Sequence, residues 1–184
     1  MSRADGATRL VAAAVALGTA RGVGALSIQA IATEAGVSKA LVLYHFADKP
    51  TLLLALQRDL GAASAARLQA VAVAADPLEA WRRLVHEETE SGALALLAAL
   101  NREAEVRDSA VAMHAAREKA ATVLAAAVMR SLELRPRIAP TLLGCVLLRQ
   151  LDGLAVRAGA VATDAESLDA EFDSFALAFL ALGH

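Results

Sequence analysis

Ser38, Lys39, Tyr44, His45 and Lys49 lie within twelve consecutive positions. Each can donate a hydrogen bond, and the two lysines carry charge. Side chains of this kind on one short segment suit phosphate oxygens and base edges. The segment Ile28–Phe46 holds most of them and ends I-A-T-E-A-G-V-S-K-A-L-V-L-Y-H-F. Other chemistry has less to stand on. The four histidines, His45, His86, His114 and His184, show no metal-ligand spacing. No G-x-S-x-G elbow, H-E-x-x-H pair, phosphate loop or G-x-G-x-x-G fingerprint occurs. No enzyme activity, metal site or cofactor is expected. The lone cysteine, Cys145, permits no internal disulfide.

The elements that must position these residues are helices. Of 184 residues 57% are hydrophobic, with 47 alanines, 30 leucines and only six aromatics. Ala and Leu are strong helix formers, and a chain this apolar can bury a sizeable core. So few aromatics argue against a sheet that stacks bases. The longest stretch without Asp, Glu, Lys or Arg, Gly22–Thr33, is 12 residues. A membrane-spanning helix needs about 20. Arg3 and Arg9 before the apolar run Leu10–Ala20 imitate a secretory signal, but Asp5 and the closing Arg21 oppose that reading. An all-α, soluble, cytoplasmic protein without membrane contact is expected. Residues 1–50 hold five basic and three acidic residues, a net +2, whereas the whole chain is −2. A basic head on an acidic body is compatible with nucleic-acid contact through the head.

Punctuation divides the chain into about nine helices. Leu10, Ala14, Leu17 and Arg21 follow helical spacing up to Gly22 and Gly24. Ser27 caps Ile28–Ala35, Gly36 stops it, and Ser38 caps Lys39–Phe46. Asp48 with Pro50 starts a helix to about Ala75, and Asp76-Pro77 starts another to about Glu90. Ala93–Glu105, Arg107–Leu134 and Ile138–Ala158 follow. Thr163 and Glu166 have capping-box spacing and open the last helix, to Leu182. The two short helices around Gly36 have the layout of a helix-turn-helix, with Ile31, Ala35, Val37 and Val42 as a hinge core. A plain helical hairpin with a solvated face has the same layout.

The residues also resemble a known family. Leu26–Leu54, with I-A-x-E-A-G-V-S-K, Y-H-F and D-K-P-x-L-L, resembles the DNA-binding domain of tetracycline-repressor (TetR) regulators. The resemblance implies an N-terminal three-helix DNA-binding domain, residues 1–49. It also implies a helical effector-binding and dimerisation domain, residues 50–184. By position, Ser27 and Ser38 would cap helices against phosphates. Lys39 and Ala40 would start the groove-facing surface, Tyr44 and His45 would reach phosphate or bases, and Lys49 would meet a phosphate. Phe46 would anchor the core. Many members place a tyrosine directly after a leucine here; Val42-Leu43 fills that place and Tyr44 comes one later. If exposed, Leu41 or Leu43 could touch thymine methyls. The function implied is a homodimeric repressor of a near-palindromic operator, released by a small lipophilic effector. The alternatives are a helical dimer that has lost specific DNA binding and an effector-independent regulator.

Two further sites are expected. Leu168, Phe172, Phe175, Phe179 and Leu182 alternate in steps of four and three, an a/d seam. With Leu147, Leu151 and Leu154 of the preceding helix they are the expected dimer interface, Gly144 allowing close approach. An internal core stripe is the alternative. No aromatic occurs between Arg82 and Glu171, so the effector pocket is expected to have aliphatic walls overlooked by Trp81. Met113, His114, Arg117, Cys145 and Arg149 are its candidate lining. Arg149 and Asp152 have the spacing of an i,i+3 ion pair, and Glu87, Glu88 and Glu90 read as a solvated charge run.

Overall fold

The computed structural model describes residues 3–161 and 164–184. Among the described residues there are nine α-helices and no strand longer than an isolated bridge. They are α1 (Arg3–Arg21), α2 (Ile28–Glu34), α3 (Lys39–His45), α4 (Lys49–Ala72), α5 (Pro77–Ser91), α6 (Ala93–Leu100), α7 (Arg107–Ser131), α8 (Pro140–Ala158) and α9 (Ala165–Leu180). The all-α architecture is as expected.

The starts follow the caps. Ser27 accepts from the Ala30 amide, Ser38 from Leu41, Asp48 from Thr51, and Asp76 from both Leu78 and Glu79. Each satisfies an amide that the first helical turn leaves open. Gly36 and Gly92 stop helices at φ 65° and 66°, backbone that favours glycine. Thr163 of the expected capping box lies outside the described residues. The cap of α9 is Asp164, accepting from Ser167 at 2.7 Å.

Two boundaries differ for tertiary reasons. Helix α6 ends at Leu100, not Glu105, and a 3-10 turn (Ala104–Val106) precedes α7. Gln57 of α4, fully buried, holds this break: its amide donates to Asn101 Oδ1 at 2.7 Å and to the Val106 carbonyl at 3.2 Å. Its carbonyl accepts from Ser109. Helix α7 stops at Ser131, short of Leu134, because Arg135 and Arg137 turn to pair their backbone with His184 and Leu182.

Helix α7 packs between α4 and α8. A Cβ on Gly144 of α8 would stand 2.6 Å from the Thr122 amide nitrogen of α7. The small residue expected to bring two subunits together thus brings two helices of one chain together. Trp81 of α5 is buried edge-on against Phe172, Phe175 and Phe179, with ring centroids 5.1, 5.5 and 5.4 Å away. Arg82 stacks over Phe172 at 4.6 Å and pairs with Asp169 and Asp173, and His86 meets Asp169 at 3.0 Å. Helix α9 is therefore fastened to α5 by an aromatic cluster with an ionic rim. No helix among the described residues is long and apolar enough to cross a membrane.

Candidate nucleic-acid interface

Helices α1, α2 and α3 pack on one another around Leu10, Ala14, Leu17, Leu26, Ile31, Val42 and Phe46, all buried. Ile31 and Val42 close the hinge between α2 and α3, with Ala35 and Val37 half-buried beside them. Phe46 is a core residue. The Gly36 turn is locked by the Val37 amide donating to the Ala32 carbonyl at 2.9 Å. This packing fixes which side of α3 faces outward. Lys39, Ala40, Leu41, Leu43 and Tyr44 are exposed, and Lys49 is exposed at the first turn of α4. His45 is half-buried. A Cβ on Gly6 of α1 would come within 2.6 Å of its Nε2, so its imidazole lies against the α1 backbone. Tyr44 stands edge-on to that ring at 5.2 Å. Of the residues expected here, Lys39, Ala40, Tyr44 and Lys49 are exposed. Ser27 and Ser38 are exposed with their hydroxyls on cap amides, and His45 is engaged within the domain.

The residues expected to line one pocket are not brought together. Trp81 is sealed in the aromatic cluster. Arg117 is buried and spent on Ser64 Oγ at 3.0 Å and Asp152 Oδ2 at 3.1 Å. Asp152 thus pairs with Arg117 across α7 and α8, not with Arg149, which is exposed. Cys145 is half-buried beside Glu118, and desolvation together with that carboxylate pushes its thiol pKa up, away from thiolate reactivity. Met113 lies in an open cleft of about 390 Å³ between α4 and α7, with Arg58, Gly61, Ala62 and Ser109. His114 belongs to a different cleft, with Asn101 and Val111. The apolar core of this half of the molecule also encloses Gln57, Ser64, Glu88 and Arg117, which periodicity did not reveal. Glu88, expected in solvent, is 1% exposed and meets Arg67 at 2.7 Å. Its carboxyl is held above the usual glutamate range because burial outweighs the attraction of Arg67.

The expected dimer seam points inward. Leu168, Phe172 and Phe179 are buried and Phe175 half-buried against Trp81, while Leu147 and Leu151 are buried and Leu154 half-buried beneath α8. These side chains serve the chain's own core. The outward strips are Leu142, Val146, Arg149, Gly153 and Val156 on α8, and Ala170, Ser174, Leu177 and Ala181 on α9. All are exposed except Val146, which is half-buried.

Comparison with known proteins agrees with this architecture. Residues 10–56 match the family model described as bacterial regulatory proteins, tetR family. No curated protein matches the sequence. Solved structures match over nearly the full length. A TetR transcription regulator from Haloarcula marismortui has a TM-score of 0.75 at 20% identity, over 98% of this chain and 100% of its own. A transcriptional regulator from Rhodococcus sp. Rha1 gives 0.76 at 21%, over 96% and 97%. FadR from Bacillus subtilis, solved in complex with stearoyl-CoA, gives 0.71 at 16%, over 96% and 99%. The overall fold is that of these solved structures. The resemblance to the tetR family is carried by residues 10–56, the segment of the helix-turn-helix and the start of α4.

Proposed function

We propose that the protein is a homodimeric repressor that binds a near-palindromic operator and releases it when a small lipophilic effector binds. The observation that carries this reading is the capped α2–α3 pair, with Lys39, Ala40, Tyr44 and Lys49 exposed around one short helix. One recognition helix makes too few contacts for tight binding. A twofold dimer presents two of them about 34–36 Å apart, to successive major grooves. The division at residues 49 and 50 falls at the start of α4, which continues to Ala72 and so links head to body as one rod. Ser27, Ser38, Lys39, Tyr44 and Lys49 serve the phosphates, and α8 and α9 meet their counterparts in the second subunit. The open cleft between α4 and α7 offers Ala62, Ala112, Met113 and Ala116 beside Arg58 and Ser109, and its apolar members suit a lipophilic ligand with a polar end. The stearoyl-CoA bound to the Bacillus subtilis relative supports that class. An effector acts only through its differential affinity for the two conformations.

The test is selection of bound duplexes from a random pool at moderate salt, with the Lys39→Ala/Lys49→Ala variant as control. A palindrome enriched by the native chain and lost in the control is expected. Failure to enrich any sequence at low salt would sink the repressor reading. Release of the selected operator by a long-chain acyl-CoA or fatty acid tests the effector class.

A further inference from the structure

Helix α3 presents chiefly hydrocarbon to solvent. Val42 and Phe46 are buried and His45 is half-buried. At 3.6 residues per turn this puts Ala40 and Tyr44 on the opposite side, flanked by Leu41 and Leu43. Leu41 is 36% exposed, Leu43 40% and Tyr44 61%. Leu41 lies toward α1, in a shallow cleft with Gly6, Arg9, Leu10, Ala35 and Val37. Leu43, on the other flank, is not part of that cleft. The side chains that read bases through paired hydrogen bonds are Arg or Lys for guanine and Asn or Gln for adenine. Of these α3 carries only Lys39, at its first position. The only apolar group on a base edge in the major groove is the thymine C5 methyl. Lys39 and Lys49 flank the patch with positive charge, complementary to a polyanion.

Resting on the operator-binding reading above, we propose that α3 reads its half-site through thymine methyl groups, with Ala40 and Leu43 packed on the C5 methyls of particular thymines. Cytosine in the same place loses the apolar contact and leaves its N4 amino group facing Leu43, which cannot accept its hydrogen bond. The hydrocarbon face thereby selects T over C without any paired hydrogen bond. Tyr44 and Lys39 retain the polar contacts and set orientation.

The experiment uses the full chain and the palindrome it selects. Each thymine of the half-site is replaced singly by deoxyuridine, which removes the methyl and leaves every hydrogen-bonding group unchanged. At one or two thymines per half-site affinity should fall about three- to fivefold, the value of one buried methyl. Leu43→Ala should lose that sensitivity at its thymine and keep the salt dependence. Leu43→Met, which keeps the hydrocarbon, should retain it. Because Leu43 is exposed, both variants should melt with the native protein. A half-site that tolerates uridine at every position, or penalties that persist undiminished at every sensitive thymine in Leu43→Ala, would overturn methyl readout while operator binding stands. No enriched sequence and no salt-dependent binding would overturn both.

Discussion

Lys39 and Lys49 differ from their neighbours in what their loss should do. Each is an exposed cation at the start of a helix. A lysine on a phosphate carries no base information, so its removal weakens binding alike for all sequences. Lys39→Ala and Lys49→Ala should each lower operator affinity and reduce the slope of log affinity against log salt by about one. A titration at several salt concentrations reads this directly; an unchanged slope would place the lysine off the backbone. Trp81 makes the opposite case. Sequence reading set it over a pocket because it is the one aromatic near an aliphatic stretch. Neither spacing nor composition could tell that three phenylalanines ninety residues later would close around it. Trp81→Ala should cost about 3–5 kcal/mol in urea unfolding, with no direct loss of DNA contact. The exposure of Lys39 and Lys49 at two helix starts was legible because it follows from local sequence. Trp81 and Arg117 were not, because their partners are distant in the chain.

Helices and their starts were legible because a cap is a local device: Ser27, Ser38, Asp48 and Asp76 all act within three residues. What lies between helices was not. Gly144 reads equally well as a subunit contact and as an internal one, and the structure places the Thr122 backbone over it. Gly144→Ala should overpack α7 against α8 and cost about 1–3 kcal/mol, seen as a lowered melting temperature. The ion pairs that fasten α4 and α5 were also hidden, since a run of glutamates resembles a solvated face. Glu88 sits beside Arg67, with the Arg117–Asp152 pair acting on it from α7 and α8. Its carboxyl titrates above the ordinary value of 4.5. The folded state therefore holds this proton more tightly than the unfolded chain. The resulting stability is fully present below pH 4.5 and is lost as pH rises through the elevated value. Glu88→Gln removes that titration. The melting temperature of Glu88→Gln relative to native should rise between pH 4.5 and 7; a difference that falls would show that the Arg67 pair outweighs burial. Asp169 has the opposite sign. Hydrogen bonds from His86 and then Arg82 hold it below 3.8. The α5–α9 fastening should therefore weaken only as pH falls through that lowered value.

At the scale of the whole molecule the proposed dimer turns on which strip of α8 and α9 is left for a second copy. Periodicity alone finds a stripe but not its direction, and α9 carries apolar residues on two sides. The larger, aromatic stripe went inward, because burying phenylalanine against Trp81 within one chain removes the most hydrocarbon from water without the cost of association. The same alternation of four and three recurs outward as Leu142, Val146, Arg149, Gly153 and Val156, and as Ala170, Ser174, Leu177 and Ala181. Small residues dominate the α9 strip, and Leu177 is 72% exposed within it. A four-helix contact built from these strips would bury Leu177 and let the helices approach closely. The proposed dimer thus uses the helices expected from the sequence but not the side chains expected from it. Leu177→Arg should shift the protein from dimer to monomer in sedimentation at micromolar concentration. Its helical content should remain native, since the side chain is largely exposed. Operator affinity should fall by more than tenfold with it, because two half-sites are then bound by independent heads. Phe172→Ala should instead lower the melting temperature of the chain itself. A Leu177→Arg protein that stays dimeric and binds its operator normally would move the interface to another face of the molecule.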